Sequence, residues 1–281
     1  MRLAAGLLLA LASTAALSYG FYLQHTASSG LPALSLRHPL TSLSVLFSSR
    51  RWLTGFICGL AGWALYIIAL DLAPLSLVQA TSAGGVGLLA LLVRAGGTRL
   101  EARDRVAVAA AVAGLLLLGL SLPAGAGHAA TTGWGPPLGW ILASALAAAV
   151  AAGPAEAMLR PGAGLGAAAG LLYAAGDVST KAAISGTSPV LVFALLIPAC
   201  HGLAFVCLQL AFQRGTALAT AGLSTLLTNL LPILAGLTVF AEQMPGGLPG
   251  VLRGLGFAGT VLGAALLSQP GTGQRASPGE R

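Results

Sequence analysis

Residues 217–240 read ALATAGLSTLLTNLLPILAGLTVF, with no charged residue among them. A helix over this stretch is ~36 Å long at 1.5 Å per residue, enough to cross a ~30 Å hydrocarbon layer. Its polar residues are not scattered. Ser224 and Thr228, and Thr225 and Asn229, are four apart, so they form a stripe on one side of the helix. Hydroxyl and amide groups facing lipid are costly, so the stripe faces another helix or a cavity. Pro232 lacks a backbone N–H and frees the carbonyl of Thr228, a feature of bent helices at membrane depth.

The rest of the 281-residue chain has the same character. Only 7% of residues are charged and 56% are apolar, and the mean hydropathy is +0.88. A soluble domain carries ~25% charged residues, and a disordered chain is polar and charge-rich. Both classes are excluded, leaving a polytopic membrane protein. Apolar runs recur at Leu3–Leu23, Trp52–Leu70, Pro74–Val93, Val106–Leu122, Pro137–Gly153, Gly164–Ile184, Pro189–Leu210 and Leu248–Leu267, besides the stretch above. Leu34–Phe47 is a weaker segment, interrupted by Arg37, His38 and Pro39. It is either a poor, tilted span or an amphipathic helix at the interface. The first run extends through Tyr19, Phe21 and Leu23, too far for a cleaved signal peptide.

The net charge of +7 reflects topology rather than nucleic-acid binding, because no basic stripe interleaved with aromatics is present. With ten spans and an inside N-terminus, Arg2, Arg50, Arg51, Arg94, Arg99, Arg103, Arg105, Arg160, Arg214, Arg275 and Arg281 all fall on the cytoplasmic side. Nine spans with an outside N-terminus give the same arrangement from Arg50 onward. A basic N-terminus is usually retained inside, so Arg2 favours ten. The expectation is therefore an all-α membrane protein of ten, alternatively nine, spans with both termini cytoplasmic. Ten spans divide into a five-helix repeat over 1–122, an outer linker over 123–136, and a second five-helix repeat over 137–268. A disordered tail follows at 269–281. An odd number of spans per half inverts one half relative to the other, as in many secondary transporters.

Polar residues within spans are the functional candidates. Asp177 and Lys181, four apart in GDVSTKAA, share one helix face as a substrate or coupling pair, or as an ion pair near the helix end. Gln79, Thr81 and Ser82 form a second polar cluster, and Thr225, Thr228 and Asn229 the third. The two clusters line a cavity or zip helices together. His201 and Gln209 suit interhelical hydrogen bonds or, alternatively, a proton relay. Asp71 and Glu242 sit at span ends, and Glu156 with Arg160 reads as a surface pair. The pairs Gly55/Gly59, Gly166/Gly170, Gly250/Gly254 and Gly259/Gly263 read as packing seams. The three cysteines, Cys58, Cys200 and Cys207, make no metal or disulfide pattern. Enzyme motifs are absent, and no cofactor or resident metal is expected.

Two stretches carry a family resemblance: RRWLTGFICGLAGWALYIIALDLAPLSLVQA (50–80) and LQLAFQRGTALATAGLSTLLTNLLPILAGLTVFAEQMP (208–245). Arg50, Arg51 and Trp52 before the third helix, the junction Ala69-Leu70 and Ala73-Pro74, and Pro232 with Glu242 resemble the EamA-like branch of the drug/metabolite transporter superfamily. Ala80 stands where a proline is typical, and Ala241 rather than glycine precedes Glu242. The resemblance implies a secondary transporter of the inner membrane. It would export a small metabolite bound between the halves and lined by helices three, four, eight and nine. A related branch, the NIPA-type proteins, is linked to magnesium. That alternative needs converging carboxylates, and the spans offer little beyond Asp177. A non-transporting scaffold subunit is the remaining alternative. The expected partners are a small-molecule substrate and the lipid bilayer, with no nucleic acid; oligomeric state is open, a homodimer included.

Overall fold

A computed structural model describes residues 2–34, 39–72, 84–121, 133–184, 189–240 and 246–269, and among these the chain is all-helical. In chain order the helices are α1 (Arg2–Ser28), α2 (Pro39–Ser48), α3 (Arg50–Leu72), α4 (Gly84–Ala95), α5 (Ala102–Ser121), α6 (Gly135–Ala152), α7 (Ala163–Ile184), α8 (Val190–Arg214), α9 (Leu223–Thr238) and α10 (Gly247–Ser268). A single π-helical turn, Leu218–Gly222, leads into α9. Among the described residues, seven helices are long and apolar enough to cross a membrane: α1, α3, α5, α6, α8, α9 with its π turn, and α10. The 22-residue α7 matches them in length but carries Asp177 and Lys181. Apolar side chains such as Ile57, Leu146, Leu195 and Leu262 point away from the bundle and are more than half exposed. That outside-apolar surface suits lipid rather than water.

Helix directions follow from the contacts. Along α1 and α3, Ala10 packs near Ala69, the Ser13 hydroxyl donates to the Gly62 carbonyl, and Gly20 meets Gly55 and Gly59. The two helices are therefore antiparallel, with the end of α1 beside the start of α3. At that end Trp52 meets Gln209 of α8, the Arg160 side chain meets Asp104 of α5, and the Arg160 N–H donates to the Ser268 carbonyl of α10. The starts of α3, α5 and α7 and the ends of α1, α8 and α10 thus converge on one basic end.

This geometry departs from the ten-span expectation. Because α1 ends and α3 begins at the same end of the bundle, the ten-residue α2 between them does not cross it. It packs on the start of α3, where Phe47 meets Trp52 and Phe56 edge-on. The start of α1 and the end of α10 lie at opposite ends, not together. Arg2 was a single charge. The glycine contact between α1 and α3 is the larger constraint on direction.

Close backbone approach holds the bundle together. A Cβ added at Gly20, Gly55, Gly114 or Gly256 would lie within 3 Å of the partner helix's backbone. In lipid, such contact replaces the hydrophobic drive between helices. Of the four expected glycine pairs, Gly55/Gly59 faces α1, Gly166/Gly170 faces the π turn and α9, and Gly259/Gly263 faces α5. Gly254 has no neighbour within 4 Å, so the Gly250/Gly254 pair makes no seam there; Gly256, two residues on, takes that role.

Candidate functional site

A cavity of about 490 Å³ lies between the middle of the bundle and the end opposite the basic one. Six helices line it. α1 contributes Thr14, Ser18 and Phe21; α3 contributes Trp63 and Tyr66; α4 contributes Gly85 and Leu89. From the second half, α7 contributes Tyr173, Asp177 and Lys181, α8 contributes His201, and α9 contributes Thr225, Thr228, Asn229, Pro232 and Ile233. The polar stripe of α9 thus faces a hollow. The Thr228 hydroxyl donates to the Ser224 carbonyl at 2.9 Å, and the Asn229 amide donates to the Thr225 carbonyl at 2.8 Å. These donors are used within their own helix, which lets the stripe border an open space without an interhelical zip.

Three of the six expected binding residues and both expected charges therefore meet in one place. Gln79, Thr81, Ser82 and Glu242 lie outside the described residues, as does the side chain of Asp71. His201 was expected to bond between helices. Its Nε2 does face another helix, 3.7 Å from Asp177 Oδ1 of α7, while its Nδ1 lies 3.0 Å from the Ile197 carbonyl of its own helix. The Tyr173 ring meets the imidazole edge-on at 5.7 Å. The Lys181 ammonium sits 4.3 Å from the centre of the Phe240 ring, a cation–π contact. Tyr66, Tyr173, Thr14 and Ser18 were not singled out in the sequence. Nothing in their spacing separates them from packing residues.

The cavity is closed toward the basic end. Phe21 and Leu89 at its floor belong to a packed apolar layer with Val86, Leu208, Phe212 and Leu226. Beneath that layer three helices are tied by amides. Trp52 Nε1 donates to Gln209 Oε1 at 2.8 Å, and Gln209 Nε2 donates to Gln24 Oε1 at 2.8 Å. The Gln213 amide donates to the Ser28 and Pro32 carbonyls, and its oxygen accepts from the Leu34 N–H. His25 Nε2 lies 2.8 Å from the Gly215 carbonyl. Gln209 thus makes the interhelical bonds expected of it.

Glu156 and Arg160 do not pair with each other, contrary to expectation. Glu156 accepts from the Gly162 and Leu165 N–H groups, at 2.7 and 3.0 Å, and so caps the start of α7. A carboxylate there satisfies orphan donors and complements the helix dipole. Arg160 turns to the buried Asp104 at 2.6 Å.

Among the described residues, no group of three His, Cys, Asp or Glu side chains is placed to hold a metal ion. No family model, curated protein or solved structure matches the chain.

Proposed function

We propose that this protein is a secondary transporter that exports a small metabolite across the inner (plasma) membrane by alternating access. The observation that carries this is the cavity itself: a hollow with charged and polar side chains set in a mainly apolar wall, bordered by three helices from each half and closed at one end. A helix-zipping scaffold has no use for such a space. With the basic end in the cytoplasm, the cavity faces outward, the end of α10 lies inside and the start of α1 lies outside.

The packing supports an inverted repeat with a unit of four helices. α1 packs along α3 and α4 as α7 packs along α8 and α9, while α5 and α10 pack on each other. Matching α1 with α7, α3 with α8, α4 with α9 and α5 with α10 pairs helices that run in opposite directions. α6 is then the extra helix, packed on α7. This reading keeps the resemblance to the drug/metabolite transporters and assigns nine crossings.

The test is a double variant, Thr228→Ala with Asn229→Leu. Metabolites that accumulate in cells lacking the protein supply the compound for vesicle flux. Lost flux with unchanged thermal unfolding supports the carrier. Unchanged flux, or lost folding and partner binding without any flux in the wild type, overturns it.

A further inference from the structure

The two nitrogens of His201 face different acceptors. The Ile197 carbonyl, 3.0 Å from Nδ1, can only accept, so Nδ1 carries a hydrogen and donates it. In a neutral imidazole the other nitrogen is then a lone pair. That nitrogen, Nε2, lies 3.7 Å from Asp177 Oδ1, and an ionised carboxylate also has only lone pairs to offer. Two acceptors oppose each other there unless one proton sits on the pair.

The ring has little freedom to turn away. It lies against α7 at Gly176, where an added Cβ would collide with Cε1 and Nδ1. The Tyr173 ring meets it edge-on. The site is also wet: the His201 and Asp177 side chains are 39% and 46% exposed, both to the cavity, so a proton can exchange with water.

We infer that Asp177 and His201 together bind one exchangeable proton, and that this proton is the coupling ion. Its role as coupling ion rests on the carrier proposal; the proton site itself rests on the geometry. The proton is held as a carboxylic acid donating to Nε2, or as an imidazolium donating to the carboxylate. The two forms are one site, because strongly interacting groups titrate as a pair. Among the described residues, the other ionisable groups around it are Lys181 and Tyr173 on α7, Tyr66 on α3 and Cys200, next to His201 in sequence, on α8. α1, α4 and α9 bring only hydroxyl, amide and apolar side chains to the cavity. Binding the proton makes the cavity one charge more positive than it is without it. An anionic substrate group is therefore favoured in the protonated form and released with the proton.

The experiment is nitrogen NMR of the full-length protein in lipid nanodiscs, labelled at histidine and titrated across about pH 4–9, the range where imidazoles change charge. His201→Gln assigns the signal. The expected result is that Nδ1 keeps its hydrogen throughout while Nε2 alone titrates. The Nε2 midpoint should move by about one pH unit in Asp177→Asn, a tenfold change in proton affinity, and return toward wild type in Asp177→Glu. A neutral form with the hydrogen on Nε2, or the same midpoint in wild type and Asp177→Asn, overturns the proposal. Helical content and elution of each variant confirm folding. If the pair titrates as expected but no pH gradient drives any metabolite flux, the coupling role fails and the proton site stands. If a gradient drives flux while the midpoint is unmoved by Asp177→Asn, the pair fails and the carrier stands.

Discussion

The two ends of this bundle solve the same problem in opposite ways. At the basic end, polar side chains are buried and matched with one another: Trp52, Gln209 and Gln24 in a chain of amides, Arg160 on Asp104, Glu156 on the start of α7. Toward the opposite end, Asp177, His201, Lys181 and the α9 stripe border a hollow. Those side chains at the first end are bonded to protein and hold a shape, with the buried Ser28 hydroxyl as an exception. At the second, the Asp177 and His201 side chains are 46% and 39% exposed and so open to water or a ligand. The difference marks one end as lock and the other as chamber.

Four substitutions test that contrast. The largest loss of activity belongs to the chamber: Asp177→Asn should reduce pH-driven uptake into vesicles by at least about tenfold, with folding intact. Unchanged uptake would remove Asp177 from the coupling role. At the lock, Arg160→Leu strands the Asp104 carboxylate, whose side chain is 11% exposed. Removing one partner of a buried pair costs about 3 kcal/mol, which thermal unfolding in detergent should read as a lowered Tm. Gln209→Leu is expected to be milder. It leaves Trp52 Nε1 and the Gln24 carbonyl oxygen without their recorded partners, at a cost of about 1–3 kcal/mol, again read in unfolding. The smallest change is Thr228→Val, which should alter flux by less than about threefold, matching the ~0.6 kcal/mol typical of one intramembrane hydrogen bond, and should leave Tm unmoved. If it instead lowered Tm as much as Gln209→Leu, the chamber would be a second lock.

How much of this was legible in the sequence depends on what carried the signal. The membrane class and helix positions follow from charge scarcity and 20-residue apolar runs, which are local properties. The α9 stripe was legible because a four-residue spacing fixes a common face whatever lies opposite. Asp177 and Lys181 were legible because charge in a span is rare. The direction of α1 was not, because it depends on a long-range contact between Gly20 and Gly55 that no local pattern encodes. Interhelical bonding or a proton relay could be read for His201, but its partner Asp177 could not, for the same reason. A lone histidine in an apolar helix says nothing of what the neighbouring helix places opposite it. Arg160 misled in the other direction. Its four-residue spacing from Glu156 promised a pair, but orphan N–H groups at the start of α7 claimed the glutamate.

Gln209 and His201 stand on one helix, eight residues apart, or ~12 Å along its axis. Pro198 lies beyond His201 and outside that interval, so unbroken α8 joins them. A lever of this kind has no slack: any rotation of α8 that disengages its amide from Gln24 also swings the imidazole relative to the carboxylate on α7. Under the proposed mechanism, unlatching and deprotonation are two readings of a single mechanical coordinate.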